Sequence, residues 1–175
     1  MNQRGQEAIV YHPIGVIRSP HEAPKGTPIQ PPASRGARGR VELYEPYVAG
    51  LADLEGFSHV ILLYHFHLVN GYSLEVTPFM DRSPHGVFST RAPVRPNRIG
   101  LSVVELVRRE GGVLHVRNID VVDGTPLLDV KPYVPGFDAP QGVRVGWLEG
   151  NIGALPDARD DERFLGEAGA RGRDD

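Results

Sequence analysis

A mainly β fold is the architecture that the sequence predicts, on three observations. Glycine (21) and proline (16) are spread through all 175 residues, which suits short strands joined by many turns better than long helices. Between those turns stand runs rich in β-branched and aromatic residues. One of them, residues 57–68, is apolar on both faces, so it belongs in the middle of a barrel or sandwich and not at a solvated edge.

Strands are predicted at 13–18, 40–43, 57–68, 73–78, 99–108, 112–120 and 127–133, with one short helix at 47–54. The clearest local signal is a hairpin in which 101–108 and 113–119 flank Glu110-Gly111-Gly112, whose glycines supply the positive φ of such turns. Residues 19–39 are rich in Pro, Gly, Ser and Arg without an apolar period, and a loop of that length in a small domain is usually functional or disordered. After about Leu155 the chain turns polar and charged, which predicts a frayed tail of about fifteen residues.

A hydrophobic fraction of 40% can supply one core, so a single domain is expected. Cysteine is absent, which excludes disulfides, thiolate metal sites and thiol nucleophiles. No segment approaches the ~18 apolar residues of a membrane span, so no membrane partner and a cytoplasmic location are expected. The formal charge is −3, yet arginines cluster at Arg35, Arg38 and Arg40 and again at Arg82, Arg91, Arg95 and Arg98. Much of the acid sits late, at Asp157, Asp160, Asp161, Glu162, Glu167, Asp174 and Asp175, and masks local positive surface.

Two segments are dense in chemistry. Residues 86–100 set Arg91, Arg95 and Arg98 among prolines, and a stiff loop presents guanidinium forks to a carboxylate or phosphate at little ordering cost. Residues 119–133 gather Asp120, Asp123, Asp129 and Lys131 around an Asp-Gly-Thr-Pro turn, where carboxylates can accept from hydroxyls or amines or simply cap the turn. His59, His65 and His67 alternate along the core strand, a spacing compatible with a metal pair but with no evident third ligand, so no metal is expected. Serine elbows, phosphate-binding loops and dinucleotide fingerprints are missing.

Four strings, Pro13-Ile-Gly-Val-Ile-Arg-Ser-Pro20, Leu54-Glu-Gly-Phe-Ser-His-Val60, Gly86-Val-Phe-Ser-Thr-Arg-Ala-Pro-Val-Arg-Pro-Asn97 and Asp123-Gly-Thr-Pro-Leu-Leu-Asp-Val-Lys-Pro-Tyr133, resemble in order and spacing the TrmO/TsaA-like family. The resemblance covers roughly residues 8–149 and leaves 150–175 as a C-terminal extension, expected to be partly disordered. It implies a small antiparallel β-barrel with one or two short helices, distinct from Rossmann-type methyltransferases. It also implies a homodimer that binds S-adenosyl-L-methionine near the interface and methylates N6 of threonylcarbamoyladenosine in the tRNA anticodon loop.

Carried over to these positions, the resemblance implies a donor pocket lined by Gln30, Pro31, Pro32 and Ala33, by His67 and Leu68, by Arg91, Val94, Arg95 and Asn97, and by Asp120, Val121, Val122 and Asp123. Arg91 or Arg95 would hold the methionine carboxylate, and Asp120 or Asp123 would accept from ribose or adenine. Asp120, His67 and Lys131 are unranked candidates for the catalytic base. The chain departs from the family pattern at Ser89 to Ala92 and at Arg98, and lacks the added C-terminal domain of longer bacterial relatives. Three other readings remain: a different methyl acceptor, a sensor of the donor without turnover, and a metal enzyme using His65 and His67.

Overall fold

The computed structural model describes residues 8–165. The polar N-terminal stretch 1–7 and the acidic Glu167, Asp174 and Asp175 lie outside the described residues. Eight strands follow in chain order: β1 (Gly15–Arg18), β2 (Arg38–Leu43), β3 (His59–His65), β4 (Glu75–Val76), β5 (His85–Gly86), β6 (Ile99–Glu110), β7 (Val113–Arg117) and β8 (Thr125–Pro132). Six of them close an antiparallel barrel in the order β1-β2-β7-β6-β3-β8, and β4 pairs with β5 as a separate ribbon. The expected mainly β class and antiparallel barrel are therefore observed.

Side-chain alternation explains the closure. Ile17, Val41, Val60, Leu62, Val104, Leu114, Val116 and Leu127 point inward from six strands and are buried in one cluster. Burying each such side chain stabilises the fold by roughly 1.5–3 kcal/mol. β3 is paired on both sides, with β6 and with β8, which agrees with its central placement. Its outward residues Ile61 and Leu63 are only half-buried, so the double-sided apolar run reflects a partly open outer face. Register shifts at Leu63/Tyr64 and Leu106/Arg108 bend the long strands around the barrel.

Three expectations change. The helix expected at 47–54 is two 3-10 pieces, Glu45–Leu51 and Leu54–Gly56, because Asp53 takes a left-handed conformation (φ 64°) between them. The strand expected at 73–78 contributes only two residues to the ribbon outside the barrel, since Pro78 cannot donate to a ladder. Of the C-terminal extension expected to be partly disordered, the part up to Leu165 is folded, and the rest of the tail expected to be frayed lies outside the described residues. In the folded part Ile152–Asp157 forms a 3-10 helix, Arg159 bridges to Pro28, and Phe164 is buried against Val69, Val76, Val87, Ala92 and Val94 in a second cluster. Among the described residues no helix is long and apolar enough to cross a membrane.

Gly100 stands opposite Tyr64 in the β3–β6 register, and a Cβ there would lie 2.2 Å from the Tyr64 ring. Gly100→Ala should lower stability by roughly 1–3 kcal/mol in urea titrations. Gly50→Ala, whose added methyl meets nothing within 4 Å, should leave the unfolding free energy within a few tenths of a kcal/mol of wild type.

Candidate functional site

In an antiparallel barrel every second connection emerges at the same end. Here those connections are 19–37, 66–98 and 118–124, the three segments that carry the sequence-predicted pocket residues. They surround a cavity of about 1110 Å³. Gln30, Pro31, Pro32, His67, Leu68, Arg91, Arg95, Asp120, Val121 and Val122 all line it. Ala33 and Val94 are buried beside it in the packing, and Asn97 is exposed outside its wall. Asp123 points the other way: it accepts from the Ser19 amide (3.0 Å), pairs with Arg18 (3.5 Å), and lines a small cleft with Arg38 and Arg40. Lys131 is exposed on the outer barrel surface, 2.7 Å from Asp129, and does not line the cavity.

The 119–123 segment is fixed from behind. Ser19 Oγ donates to the Val121 carbonyl (2.6 Å), His21 Nε2 meets the Ile119 carbonyl (3.1 Å), and the Asp123 amide donates to the His21 carbonyl (2.8 Å). Those contacts set the Asp120 carboxyl at the cavity floor, 8% exposed, where it accepts from Ser102 Oγ at 2.6 Å. Burial pushes the Asp120 carboxyl up to about 7, against the opposing pull of Ser102 and of the Arg91 charge. His67 lies at the rim with Nδ1 3.4 Å from Thr125 Oγ1, and burial holds its ring below the usual histidine range, hence neutral near pH 7.

The two loop arginines play different parts. Arg91 spans the cavity mouth and donates to Gln30 Oε1 (2.7 Å), tying the 86–98 loop to the early loop while remaining exposed. Arg95 turns one nitrogen inward to the carbonyls of Val87 (3.1 Å) and Thr90 (2.9 Å), so it holds its own loop in shape. Arg98, where the chain departs from the family pattern, donates to the Val69 carbonyl and anchors the end of that loop. Trp147, which sequence reasoning passed over, donates to the Ser89 carbonyl (2.8 Å) and stacks on His85 at 4.7 Å, closing a second side of the cavity. Ile152, Leu155 and Leu165 of the folded C-terminal segment add a further wall. Among the described residues no group of three or more His, Cys, Asp or Glu is placed to hold a metal.

The family of the tRNA-methyltransferase O N-terminal domain matches residues 16–139. The chain belongs to this family. A probable S-adenosyl-L-methionine-binding protein of Pyrococcus abyssi is 54% identical over 157 residues, 90% of this chain and 85% of that relative. The mouse tRNA (adenine(37)-N6)-methyltransferase is 40% identical over 145 residues, and the match spans 78% of this chain but only 33% of the mouse protein. The crystal structure of TrmO from Pseudomonas aeruginosa superposes with a TM-score of 0.68 at 43% identity, over 81% of this chain and 63% of that one. The TrmO-type barrel thus carries the cavity described above.

The buried carboxyl makes stability depend on pH in a definite direction. An acid whose folded value is raised binds its proton more tightly when folded, so its contribution is present below the unfolded value near 3.8 and is lost as pH rises to about 7. Asp120→Asn removes this dependence. In urea titrations between pH 4 and 8, the stability of the variant minus that of wild type should increase as pH rises.

Proposed function

We propose that this chain is an S-adenosyl-L-methionine-dependent methyltransferase acting on N6 of adenine 37 in tRNA, with N6-threonylcarbamoyladenosine as the acceptor beside the anticodon. The observation that carries the reading is the convergence of three separate loops on one cavity with Arg91 at its mouth and Asp120 at its floor. The names of the relatives from Pyrococcus abyssi and mouse supply the donor and the acceptor.

The cavity suits the donor in size and in chemistry. About 1110 Å³ holds a nucleoside with an amino-acid side chain, Phe66, Leu68 and Phe88 give apolar walls, and one cation and one buried carboxyl stand where an α-carboxylate and a positively charged centre need partners. Bound S-adenosyl-L-methionine supplies a methyl group on an electrophilic sulfonium. Arg91 is the group for the methionine carboxylate, because Arg95 is already engaged with loop carbonyls. Asp120 takes the N6 proton of the acceptor, since it is the buried candidate base at the cavity floor, and His67 at the rim orients the acceptor. Burial of Asp120 favours its neutral form, and the positive charge of a bound donor would favour the carboxylate that proton abstraction requires.

Two further parts belong to this reading. Ile61, Leu63, Ile99, Leu101 and Val103 form an apolar outer face on β3 and β6, with Ile99 and Leu101 each 39% exposed, and the cavity runs onto that face. A second copy of the chain covers it, so the protein is a homodimer with the donor near the interface. Arg18, Arg38 and Arg40, in a cleft on the other side of the 119–123 segment, take RNA phosphates. The protein works in the cytoplasm, where tRNA is.

Purified protein incubated with labelled donor and tRNA, with and without threonylcarbamoyladenosine, followed by nucleoside mass analysis, tests the reading. Methyl transfer only to modified tRNA is the expected result, whereas donor binding without transfer to any RNA would sink it. Arg91→Ala should weaken donor binding at least tenfold by calorimetry, as the loss of a charge-assisted pair implies. Arg38→Ala should lower the salt dependence of tRNA affinity by a slope of about one.

A further inference from the structure

We propose that Tyr64 and Ser102 are positioning residues for the reaction, forming a buried one-way hydroxyl chain that holds the Asp120 carboxylate ready to take a proton. The inference rests on the assignment of Asp120 as proton acceptor and adds the two residues behind it.

The direction of the chain follows from counting hydrogens. Ser102 Oγ has one, and at 2.6 Å from Asp120 Oδ1 it gives that hydrogen to the carboxylate. The 3.0 Å contact between Tyr64 Oη and Ser102 Oγ must then be donated by the tyrosine. Tyr64 → Ser102 → Asp120 is therefore a line of donors aimed at one oxygen, and all three residues are buried, at 6%, 0% and 8% exposure. A neutral Asp120 accepts the Ser102 hydrogen more weakly than a carboxylate does, and Tyr64, by donating to the same hydroxyl, polarises the bond that Ser102 gives onward. The chain thus favours the ionised carboxyl and opposes the burial that favours the neutral one.

The barrel holds the chain in place. The β3–β6 register sets Tyr64 against Gly100 and Leu62 against Ser102, and the missing side chain of Gly100 makes the space into which the Tyr64 ring fits. Phe66 packs edge-on against the same ring at 5.4 Å, which fixes its rotation and so the place of its hydroxyl. A phenylalanine at 64 would fill that space equally well; the hydroxyl is there for Ser102. The other charged group acting on Asp120 is Arg91 from the 86–98 loop. His67 and Asp160 line the same cavity, His67 neutral near pH 7 and the Asp160 carboxyl raised by burial.

When the acceptor attacks, the N6–CH3 bond forms, the S–CH3 bond breaks with its pair staying on sulfur, and the N6 proton moves to Asp120. An ionised, oriented Asp120 is needed for that last transfer, so the chain acts on turnover and its pH dependence and not on donor affinity.

The test is Tyr64→Phe, which keeps the ring, with Ser102→Ala as the second variant. Two readouts are taken on full-length protein: the Asp120 carboxyl titration by carbon NMR, and the pH profiles of kcat and KM with modified tRNA. Loss of one net hydrogen bond should raise the Asp120 titration and the acid limb of kcat together by about 0.5 to 1 pH unit in Tyr64→Phe, and by more in Ser102→Ala. Donor Kd and KM should stay within about twofold, and kcat should recover towards wild type above the shifted limb. A merely destabilised protein would not recover at high pH. An Asp120 titration that does not move overturns the inference, whatever the activity. A titration that moves while the kcat limb stays in place overturns Asp120 as proton acceptor and, with it, the catalytic role of the chain. Wild-type protein that methylates no RNA sinks the proposed function, and the NMR titration still decides whether Tyr64 and Ser102 hold the carboxyl.

Discussion

Barrel closure is the constraint on which the rest of the structure depends. β1 pairs with both β2 and β8, and β3 pairs with both β6 and β8, so none of the six strands keeps a free edge. Once closed, an antiparallel barrel has two ends with alternate connections at each, and segments far apart in sequence are brought together without direct contact between their strands. Gln30, Arg91 and Asp120 meet for this reason. The interior is then too crowded for solvent, and a polar group directed into it, such as Asp120, sits at the end of the packed core with only the contacts that the strands provide.

The strands were legible because alternation and turn chemistry agree there. The hairpin of β6 and β7 forms around Gly111, which has a φ of +58°, and the apolar run 57–68 lies between two partners. Boundaries were less legible. Thr125 and Pro126 read as part of a turn, yet they open β8, because pairing with Ile17 and Val16 of β1 extends the strand. The structure of residues 19–39 could not be read, since its 3-10 turn Pro31–Ser34 and its bridge to Arg159 depend on a segment more than a hundred residues away. The fold of the stretch up to Leu165 was not legible for the same reason: its composition is polar, and one phenylalanine, Phe164, anchors it in a cluster built by other parts of the chain.

In the site, residue types were easier to find than directions. Arginines and carboxylates announced two chemical segments, but not that Arg95 faces its own loop, or that Asp123 faces away from the cavity while Asp120 faces into it. Adjacent carboxylates in a turn can point to opposite sides, and only the hydrogen bonds from Ser19 and Ser102 decide between them. Tyr64 and Ser102 left one trace in the sequence. Both occupy inward positions of strands that are otherwise apolar on that face, and a hydroxyl at such a place needs a partner.

The route taken by the last described residues has an architectural consequence. After β8 the chain leaves the far end of the barrel, returns past Trp147, packs Ile152–Asp157 against the early loop, and reaches Leu165 on the cavity wall. Leu165, the last described residue, therefore stands at the doorway of the site and not at the back of the molecule. One wall of the site is thus laid down by the last part of the described chain, and it holds only while Phe164 stays in its cluster.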